Sequence, residues 1–328
     1  MLYRLLSLVV VCSFATALMA QPLQQPAPAA NNEIAFASDT QAPMFIETLW
    51  LKPNHNRVAT KRIFADIEKR RPSSLFLLGD VVNLGYSNKQ WKPMDVNLAA
   101  LRNEGIKVDA ALGNHEVMGE SRKGQRKFQK RFPDHVKTGY VQVVDSVAVI
   151  LLNSNFNTLN PEENQKQLNW YRQELNRLDS DSSVQFIICC CHHSPYTNSK
   201  IVGCSSDVQQ KFVPPFLAST KSRLFLSGHS HNFEHYKVSG KDFLVIGGGG
   251  GLHQPLNEGK GSLPDEQLTY KPMFHYLTVR RSSGQLQVTS HELNNNFKSF
   301  DEGLTFNVQP GYKKPQQDIA STHVQEVK

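Results

Sequence analysis

Short apolar runs alternate with amphipathic segments along most of this chain, which predicts alternating strands and helices. Strands are expected at 33–38, 74–78, 107–112, 183–191 and 222–226, and helices at 58–70, 94–102, 121–131 and 163–178. Two β-rich runs, 140–144 and 147–153, are separated by Asp145-Ser146 and predict a hairpin. Short strands follow Gly228, at 233–238, 243–246, 274–279 and 285–290. The pattern indicates an α/β fold with a second, more antiparallel sheet packed on the first.

Five of the predicted strands or apolar runs end in a short polar motif. The motifs are Asp39-Thr40-Gln41, Gly79-Asp80-Val81-Val82-Asn83, Gly113-Asn114-His115-Glu116, His192-His193-Ser194-Pro195 and Gly228-His229-Ser230-His231. Taken singly each is weak, because a lone Asp or Gly-Asp is usually a turn and a lone His pair is usually a surface feature. Ligands gather at the carboxyl ends of parallel strands, however, so the five motifs are expected to meet. Their carboxylate, amide and imidazole groups are suited to a pair of divalent cations.

The two ends of the chain are expected to lie outside the fold. Residues 1–20 have a positive Arg4, an apolar stretch and small residues, as in a signal peptide, so the mature protein is expected to be exported, periplasmic or secreted. The alternatives are an uncleaved anchor, although the stretch is short for a membrane span, or lipid attachment at Cys12. Residues 21–32 predict a flexible leader, 33–308 one domain, and 309–328 a disordered tail.

Charge and cysteine content give limited information about the partners and the disulfide bonds of this protein. The formal net charge is +7, and the basic residues are dispersed on helices without interleaved aromatic residues, so no nucleic-acid partner is expected. Solvated helical faces are the favoured interpretation, with attraction of anionic substrates as the alternative. In an oxidising compartment Cys204 could pair with one of Cys189, Cys190 and Cys191, which otherwise are buried small hydrophobic residues.

The ordered motifs resemble those of the calcineurin-like metallophosphoesterase superfamily, over Asp39 to His231. The stretches HHSPYTNSK and SGHSHNFEHY are similar to the purple-acid-phosphatase branch and its bacterial relatives. The resemblance implies a four-layer αββα sandwich of two mixed sheets flanked by helices. It also implies an exported phosphoesterase with a dinuclear metal centre and a phosphorylated small-molecule substrate, with no stable membrane span after signal cleavage.

Carried over residue by residue, the resemblance implies two metal positions. Asp39, Asp80 and His231 would hold the first ion, and Asp80, Asn114, His193 and His229 the second. Asp80 would bridge two divalent ions, whether Mn, Fe, Zn, Mg or Ca. In-line attack by a metal-bridging hydroxide would follow, and His115 would assist the departing oxygen. Glu116 would orient His115 or its loop, with simple turn capping as the alternative.

Three positions depart from this pattern or leave it ambiguous. Gln41 stands where most members have a metal-binding His, and its carbonyl oxygen would favour Mn²⁺, Mg²⁺ or Ca²⁺, or loose binding. Asn83 replaces the tyrosinate of purple acid phosphatases, so a purple ferric site is not expected. His193 is preferred to His192 because it stands two residues before Pro195; if the strand pleat continued, one of the pair would face away.

Other residues near these motifs are candidates for substrate contact. Tyr196 and Asn198 follow the His193 loop and are expected to line a pocket. The glycine run 247–251 could let substrate or the metal loop approach closely, and His253 beside it is either a substrate contact or a surface residue. A phosphodiesterase or nucleotide pyrophosphatase is the alternative enzyme, and a non-catalytic binding protein, supported only by Gln41, the alternative of another class.

Overall fold

The computed structural model describes residues 31–311, in which strands and helices alternate as the pattern predicts. The strands are β1 (Asn31–Ala37), β2 (Pro72–Leu77), β3 (Lys107–Ala110), β4 (Tyr140–Val144), β5 (Val147–Leu151), β6 (Phe186–Cys190), β7 (Ser222–Ser227), β8 (Phe233–Val238), β9 (Lys241–Ile246), β10 (His275–Ser282), β11 (Gln285–Leu293) and β12 (Phe300–Val308). The helices are α1 (Asn56–Arg70), α2 (Asn88–Asn103), α3 (Asn114–Val117), α4 (Ser121–Arg131), α5 (Pro161–Ser180), α6 (Ser206–Lys211) and α7 (Val213–Ala218).

The strands form two six-stranded mixed sheets. The first has the order β12-β11-β10-β1-β2-β3, with β1, β2 and β3 parallel. The second has the order β4-β5-β6-β7-β9-β8, with β5, β6, β7 and β9 parallel. In each sheet the antiparallel strands lie toward the edges, so the carboxyl ends of the central strands are free to carry loops.

Three apolar clusters divide the molecule into four layers. One packs the first sheet against α1, α2 and α4, through residues such as Ile63, Trp91 and Phe128. A second lies between the two sheets, and a third packs the second sheet against α5, α6 and α7. Because successive side chains of a strand point to opposite faces, both sheets bury residues on both sides. The expected αββα sandwich of two mixed sheets is therefore confirmed.

The strands after Gly228 differ from the expectation. They do not form a sheet of their own: β8 and β9 complete the second sheet, whereas β10, β11 and β12 extend the first beside β1. The strand positions agree with the predicted pattern, but pairing between distant segments is not encoded in local periodicity. The prediction missed β12 and the short helices α3, α6 and α7.

The three consecutive cysteines illustrate the alternation. Cys189 and Cys191 belong to the cluster beneath α5, and Cys190 to the cluster between the sheets, as expected for small buried hydrophobic residues. Cys204 is exposed, and all four of these cysteines are free thiols in the structure. Burial raises the pKa of the Cys189 thiol to about 12, so this thiol is inert.

Some of the sequence predictions lie outside the described residues. The signal segment 1–20, residues 21–30 of the leader and residues 312–328 of the tail are among them. Residues 31 and 32, assigned to the leader, begin β1 instead. Within residues 31–311, no helix has the length and apolar character needed to cross a bilayer.

Candidate metal centre

The predicted ligand residues meet at one edge of the sandwich. Asp39, Asp80 and Asn114 follow the parallel strands β1, β2 and β3 of the first sheet. His192 and His193 follow β6 of the second sheet, and His229 and His231 follow β7. The two sheets thus deliver oxygen donors and imidazoles to a common place, as the strand-end argument predicts.

The first group of donors, here called the carboxylate cluster, consists of Asp39, Asp80 and His192. One donor atom from each lies within 4.8 Å of the others, and all three residues are buried. His192 Nε2 is 3.2 Å from Asp80 Oδ2 and 2.9 Å from the Asn114 Oδ1. This arrangement of two carboxylates, one amide and one imidazole matches the donors that divalent cations take.

The second group, here called the imidazole cluster, consists of His192, His193 and His229. Their donor nitrogens again lie within 4.8 Å of one another, and His193 and His229 are partly exposed. The ring centroids of His193 and His229 are 4.6 Å apart. Both members of the His192-His193 pair therefore face the centre, because β6 ends at Cys190 and its pleat does not continue to them. The preference for His193 as ligand stays a prediction.

Backbone carbonyls hold two of the imidazoles in place. His192 Nδ1 is 3.1 Å from the Leu78 carbonyl oxygen, and His231 Nδ1 is 2.7 Å from that of Leu252. A neutral ring that donates Nδ1–H to a carbonyl directs its Nε2 lone pair the other way, as metal-binding histidines do. The Nε2 of His231 is 3.4 Å from Asp39 Oδ1. These residues fit a cation in their donor chemistry and in their outer contacts.

The electrostatics of the two clusters are opposite. Burial alone would raise the pKa of Asp80, but the His192 and His115 imidazoles outweigh it and hold that pKa well below its usual range. Burial opposes protonation of His192, yet Asp80 raises the pKa of His192 to about 9. In contrast, burial and the neighbouring His192 lower the pKa of His193 to about 3. Burial, with His192 and His193, also lowers the pKa of His229 well below the ordinary value.

Three of the candidate ligands have a left-handed backbone. The φ angles are 57° at Asp39, 49° at Asp80 and 67° at His229. Non-glycine residues adopt this region at an energetic cost, and such residues concentrate at functional sites. At each position the turn directly follows a strand and redirects the chain into the centre.

Two glycines allow the loops to approach each other. A Cβ at Gly113 would lie 2.1 Å from Asp80 Oδ1, so the glycine of the Gly-Asn-His motif is required by the neighbouring carboxylate. A Cβ at Gly251 would lie 2.5 Å from the His231 ring. The glycine run after β9 thus packs against the ligand loops, which is one of the two roles expected for it.

Gln41 is buried beside His231, one of the candidate ligands of the first ion. When its amide Nε2 donates to the backbone oxygens of Asp80 and Asp39, at 2.8 and 3.0 Å, its Oε1 is turned toward His231. That side-chain atom is 3.3 Å from His231 Nε2. Gln41 therefore presents a neutral oxygen next to an imidazole nitrogen, and whether it binds a metal stays a prediction.

His115 is held beside Asp80 by three contacts. Its backbone N–H donates to Asp80 Oδ1 at 2.9 Å, and its Nδ1 lies 3.0 Å from the carbonyl oxygen of Asn83. Its Nε2 is 3.8 Å from Asp80 Oδ2. Asn83 itself is buried, and its Oδ1 has no hydrogen-bond partner among the described residues. The ring is therefore held through Nδ1, and its Nε2 faces the Asp80 carboxylate.

Glu116 fastens the loops of β2 and β3 together. Its carboxylate accepts hydrogen bonds from the backbone N–H groups of Asp80, Gly113 and Val82, at 2.9, 2.9 and 3.1 Å. Burial, and secondarily the charge of Asp80, raises the pKa of Glu116 to about 7. Glu116 contacts the backbone of both loops, and its bond from Gly113 N–H also caps the start of α3, so the structure supports both loop positioning and capping.

Ser154 is a site residue that the sequence analysis missed. Its Oγ lies 2.9 Å from His193 Nδ1 and accepts a hydrogen bond from His193 N at 3.0 Å. The signal was present, because Asn153-Ser154-Asn155 follows the apolar strand β5 in the same way as the five motifs follow theirs. It was overlooked since Ser and Asn at a strand end are usual turn formers.

The candidate substrate residues have other contacts. The Tyr196 ring packs on Tyr236 and Phe243 in the third apolar cluster. The Asn198 amide brackets Leu263, accepting from its N–H at 2.7 Å and donating to its carbonyl at 3.0 Å. His253 follows the carbonyl that holds His231, and burial lowers its pKa. A substrate role for these three residues stays a prediction.

An open cleft of about 620 Å³ adjoins the imidazole cluster. Asn114 and His193 form its inner end, and Met118 and Phe156 supply apolar surface. Asp207 is its one charged lining residue, apart from the titratable His193. A phosphate at the inner end would therefore place its organic group against neutral or apolar surface.

The model of the calcineurin-like phosphoesterase family matches residues 33–233, which include every candidate ligand. The chain belongs to this calcineurin-like phosphoesterase family. A search of curated protein sequences gave no significant match. The resemblance inferred from the ordered motifs is confirmed, and the two clusters are the metal-binding candidates of this chain.

Several solved structures share the fold of this phosphoesterase at low identity. GAP50, "the anchor in the inner membrane complex of Plasmodium", aligns with a TM-score of 0.63 and 16% identity over 86% of this chain and 90% of its own. The yellow lupin purple acid phosphatase PPD1 gives 0.61 and 15% over 84% of this chain, which spans about half (53%) of that enzyme. A zebrafish (Danio rerio) dimetal phosphatase gives 0.54 and 11%, over 84% and 98%.

Proposed function

We propose that this protein is a dinuclear-metal phosphoesterase that hydrolyses the ester of a phosphorylated small molecule. The observation that carries the proposal is the convergence of Asp39, Asp80 and the imidazoles within 4.8 Å in two clusters that share His192. Asp80 would bridge the two ions, and its 3.2 Å contact with His192, which both clusters contain, supports that role.

The first ion would be held by Asp39, Asp80 and His231, with Gln41 beside them. The second would be held by Asp80, Asn114 and His229, together with His193 or His192. When bound, two divalent cations supply Lewis acidity toward a phosphate and a nucleophile derived from water. The residues set the net charge: two aspartates against two dications leave the centre positive, which favours an anionic substrate.

His115 would act as the proton donor to the departing oxygen. Its Nδ1 remains bonded to the Asn83 carbonyl, so the proton that comes and goes is the one on Nε2. Protonated, the ring offers Nε2–H to an alkoxide leaving group; after transfer, the neutral tautomer keeps its Nδ1–H contact. Glu116 supports this geometry indirectly, because it holds the Asp80 and Gly113 loops together.

The adjoining cleft favours an ester over a nucleotide polyphosphate. No lysine or arginine lines it, and its one lining carboxylate, Asp207, is paired with Lys211, so the lining offers no unpaired cation for further phosphates. A phosphodiesterase acting on a neutral flanking group is the second candidate, since the same cleft would accept it. Gln41 supports the non-catalytic alternative, because its amide is a weaker metal ligand than imidazole.

A metal-by-substrate panel tests the proposal. Metal-stripped protein is supplied with Mn²⁺, Fe²⁺ or Zn²⁺ and assayed on p-nitrophenyl phosphate, its bis-ester, nucleotides and a phospholipid, with Asp80→Ala as the inactive control. Hydrolysis of one ester class above the control is expected, with nucleoside triphosphates the poorer substrates. Activity on the bis-ester alone would establish the diesterase. No hydrolysis and no bound metal with any ion would favour the non-catalytic alternative.

Export belongs to the proposal as well. It is supported by the charged start, apolar stretch and small residues of the segment 1–20. Fractionation of expressing cells, followed by N-terminal sequencing, tests it: an exported product should begin after Ala17 or Ala20. Retention of the full chain in the cytoplasm would contradict it.

A further inference from the structure

A second cavity lies away from the open cleft, on the side of helices α1 and α2. Its volume is about 500 Å³, in the range that small organic ligands occupy. The helices form two of its walls, and the loops after β1 and β2 form the third. Thr40 and Val81, each next to a candidate metal-ligating aspartate, are among the lining residues.

The walls of this cavity are largely apolar. Val82, Pro93, Met94 and Val96 line it, with Ala42 from the first loop. Of these, Val96 is 66% exposed, so part of the apolar lining is open to solvent. Apolar surface left open to solvent beside a cavity is typical of a ligand-binding site.

The charges around the cavity all have one sign. Arg57, Lys61 and Lys89 line it, whereas no aspartate or glutamate does. All three cationic residues are exposed, and none of them makes an ion pair with another described residue. The open cleft differs, since its lining carboxylate Asp207 is compensated by an ion pair with Lys211. Uncompensated positive charge at an apolar cavity selects an anion.

One polar atom at the inner side lacks a partner. Asn83 lines the cavity and is 5% exposed, and its Oδ1 accepts no hydrogen bond from any described residue. A buried amide oxygen without a donor is costly, so a water that supplies one is expected there, at the inner side of the cavity. The carbonyl of the same residue holds His115, so the cavity reaches the back of the candidate metal centre.

We propose that this cavity is a binding site for a small organic anion with an apolar body, such as a medium-chain carboxylate. The anionic group lies at the rim near Arg57, Lys61 and Lys89, and the apolar body lies along Val82, Met94 and Val96. The site is separate from the metal centre and does not depend on the proposed hydrolysis. Occupancy therefore does not require a bound metal.

Calorimetric titration of the full chain with decanoate, below its micelle concentration, tests the proposal. Saturable binding at one site is expected, with and without added Mn²⁺. The double variant Lys61→Gln/Lys89→Gln should weaken binding about tenfold, since two attractive charges are lost. Val96→Glu should weaken it as well, by placing a negative charge at the rim on an exposed side chain.

The matched control is Arg62→Gln/Lys92→Gln. It removes two exposed cations from the same two helices at positions that do not line the cavity. Its affinity for decanoate should stay within about twofold of the original. Thermal melting of every variant checks that the fold is retained, and decyltrimethylammonium provides a ligand of the same body and opposite charge.

Three results would overturn the proposal. They are the absence of saturable decanoate binding, equal weakening by the control pair, and equal binding of decyltrimethylammonium. None of them bears on hydrolysis, because the ester panel is run without decanoate. Conversely, an enzyme without activity on any ester that still binds decanoate, with the expected variant pattern, would retain this site and lose only the proposed function.

Discussion

The carboxylate cluster and the imidazole cluster share His192 but differ in nearly every other respect. The first is wholly buried and contains two carboxylates, whereas the second is partly open and consists of imidazoles alone. The pKa of His192 is raised to about 9 by Asp80, and that of His193, one residue later, is lowered to about 3 by burial and by His192. An imidazole thus favours its protonated form where a carboxylate faces it, as at His192, and its neutral form where none does, as at His193.

This difference teaches what each half of the centre requires of a cation. In the carboxylate cluster an incoming ion must displace a proton from His192, so affinity there should fall in acid. In the imidazole cluster His193 and His229 are already neutral. Oxygen-rich surroundings suit Mn²⁺, Mg²⁺ or Ca²⁺, and imidazoles suit Zn²⁺ or Fe²⁺, so the two positions are expected to select different ions.

Removing Asp80, the proposed bridge between the two ions, should have the largest effect. Asp80→Ala is expected to lower kcat/KM by about 10³-fold or more, because both ions lose a ligand and the barrier rises by roughly 4 kcal/mol. Elemental analysis should show less than the full complement of both metals. The surface variant Asp95→Ala, which only breaks a pair with Arg131, is the control. Retention of both metals by Asp80→Ala would contradict the shared position.

The two adjacent histidines separate the clusters. His192→Gln is expected to reduce binding of both ions, with a loss of about 10²–10³ in kcat/KM, because His192 is a candidate ligand of the second ion and also contacts Asp80, the proposed bridge to the first. His193→Gln should reduce only the second ion, with a loss of about 10–10². Metal stoichiometry measured alongside kinetics decides between them. If His193→Gln emptied the second position and His192→Gln emptied neither, the preference for His193 over His192 as ligand would stand.

The proton donor should be separable from both clusters. His115→Ala is expected to lower kcat about 10²-fold on an alkyl phosphate while both metals stay bound. The loss should be smaller on p-nitrophenyl phosphate, whose leaving group needs no proton. Rates on the two esters, with metal content as the check, give the comparison. Full turnover of the alkyl ester by the variant would show that His115 donates no proton.

Gln41 offers a way to make the two halves more alike. Gln41→His adds an imidazole beside His231 and is expected to raise the preference of the first position for Zn²⁺ over Mn²⁺ about tenfold. Competitive metal titration with activity as readout measures it, and Gln254→His on the neighbouring loop is the control. An unchanged Zn²⁺/Mn²⁺ ratio would mean that residue 41 does not reach the ion.

A histidine outside both clusters shows what burial does alone. His135 packs against Phe128 and Tyr140, and burial lowers its pKa to about 4, from 6.5. Between these values the unfolded chain takes up a proton that the folded chain refuses, so stability falls as the pH decreases from 6.5 toward 4. At pH 5 the loss amounts to about 2 kcal/mol relative to pH 7.5.

Replacement of this ring removes that dependence. Urea unfolding at pH 7.5 and pH 5 should show a smaller loss of stability for His135→Phe than for the original chain. Other groups titrate in both proteins, so the difference between the two losses is the quantity to compare. Equal losses would mean that His135 is protonated in the folded state, and burial would then not explain the low pKa of His193 either.

Most residues of the candidate site could be predicted from the strand-end motifs, because these motifs depend only on local sequence pattern. Apolar runs followed by Asp, Asn or His locate the carboxyl ends of strands, and the sheet does the rest. The orientation of both His192 and His193 toward the candidate metal centre could not be predicted, since it depends on where β6 ends. Neither could the three N–H groups that meet at Glu116, which come from two separate loops, nor the pairing of β10 with β1.

The left-handed turns at Asp39, Asp80 and His229 have a consequence for the evolution of this molecule. Glycine would occupy each of these turns with less strain than the residue now present, and at Asp39 and Asp80 it would also remove a buried charge. A random library selected for thermal stability alone should therefore enrich glycine at these positions and erase the centre. Only selection for the bound ion or for turnover retains these residues with their strained backbone conformation.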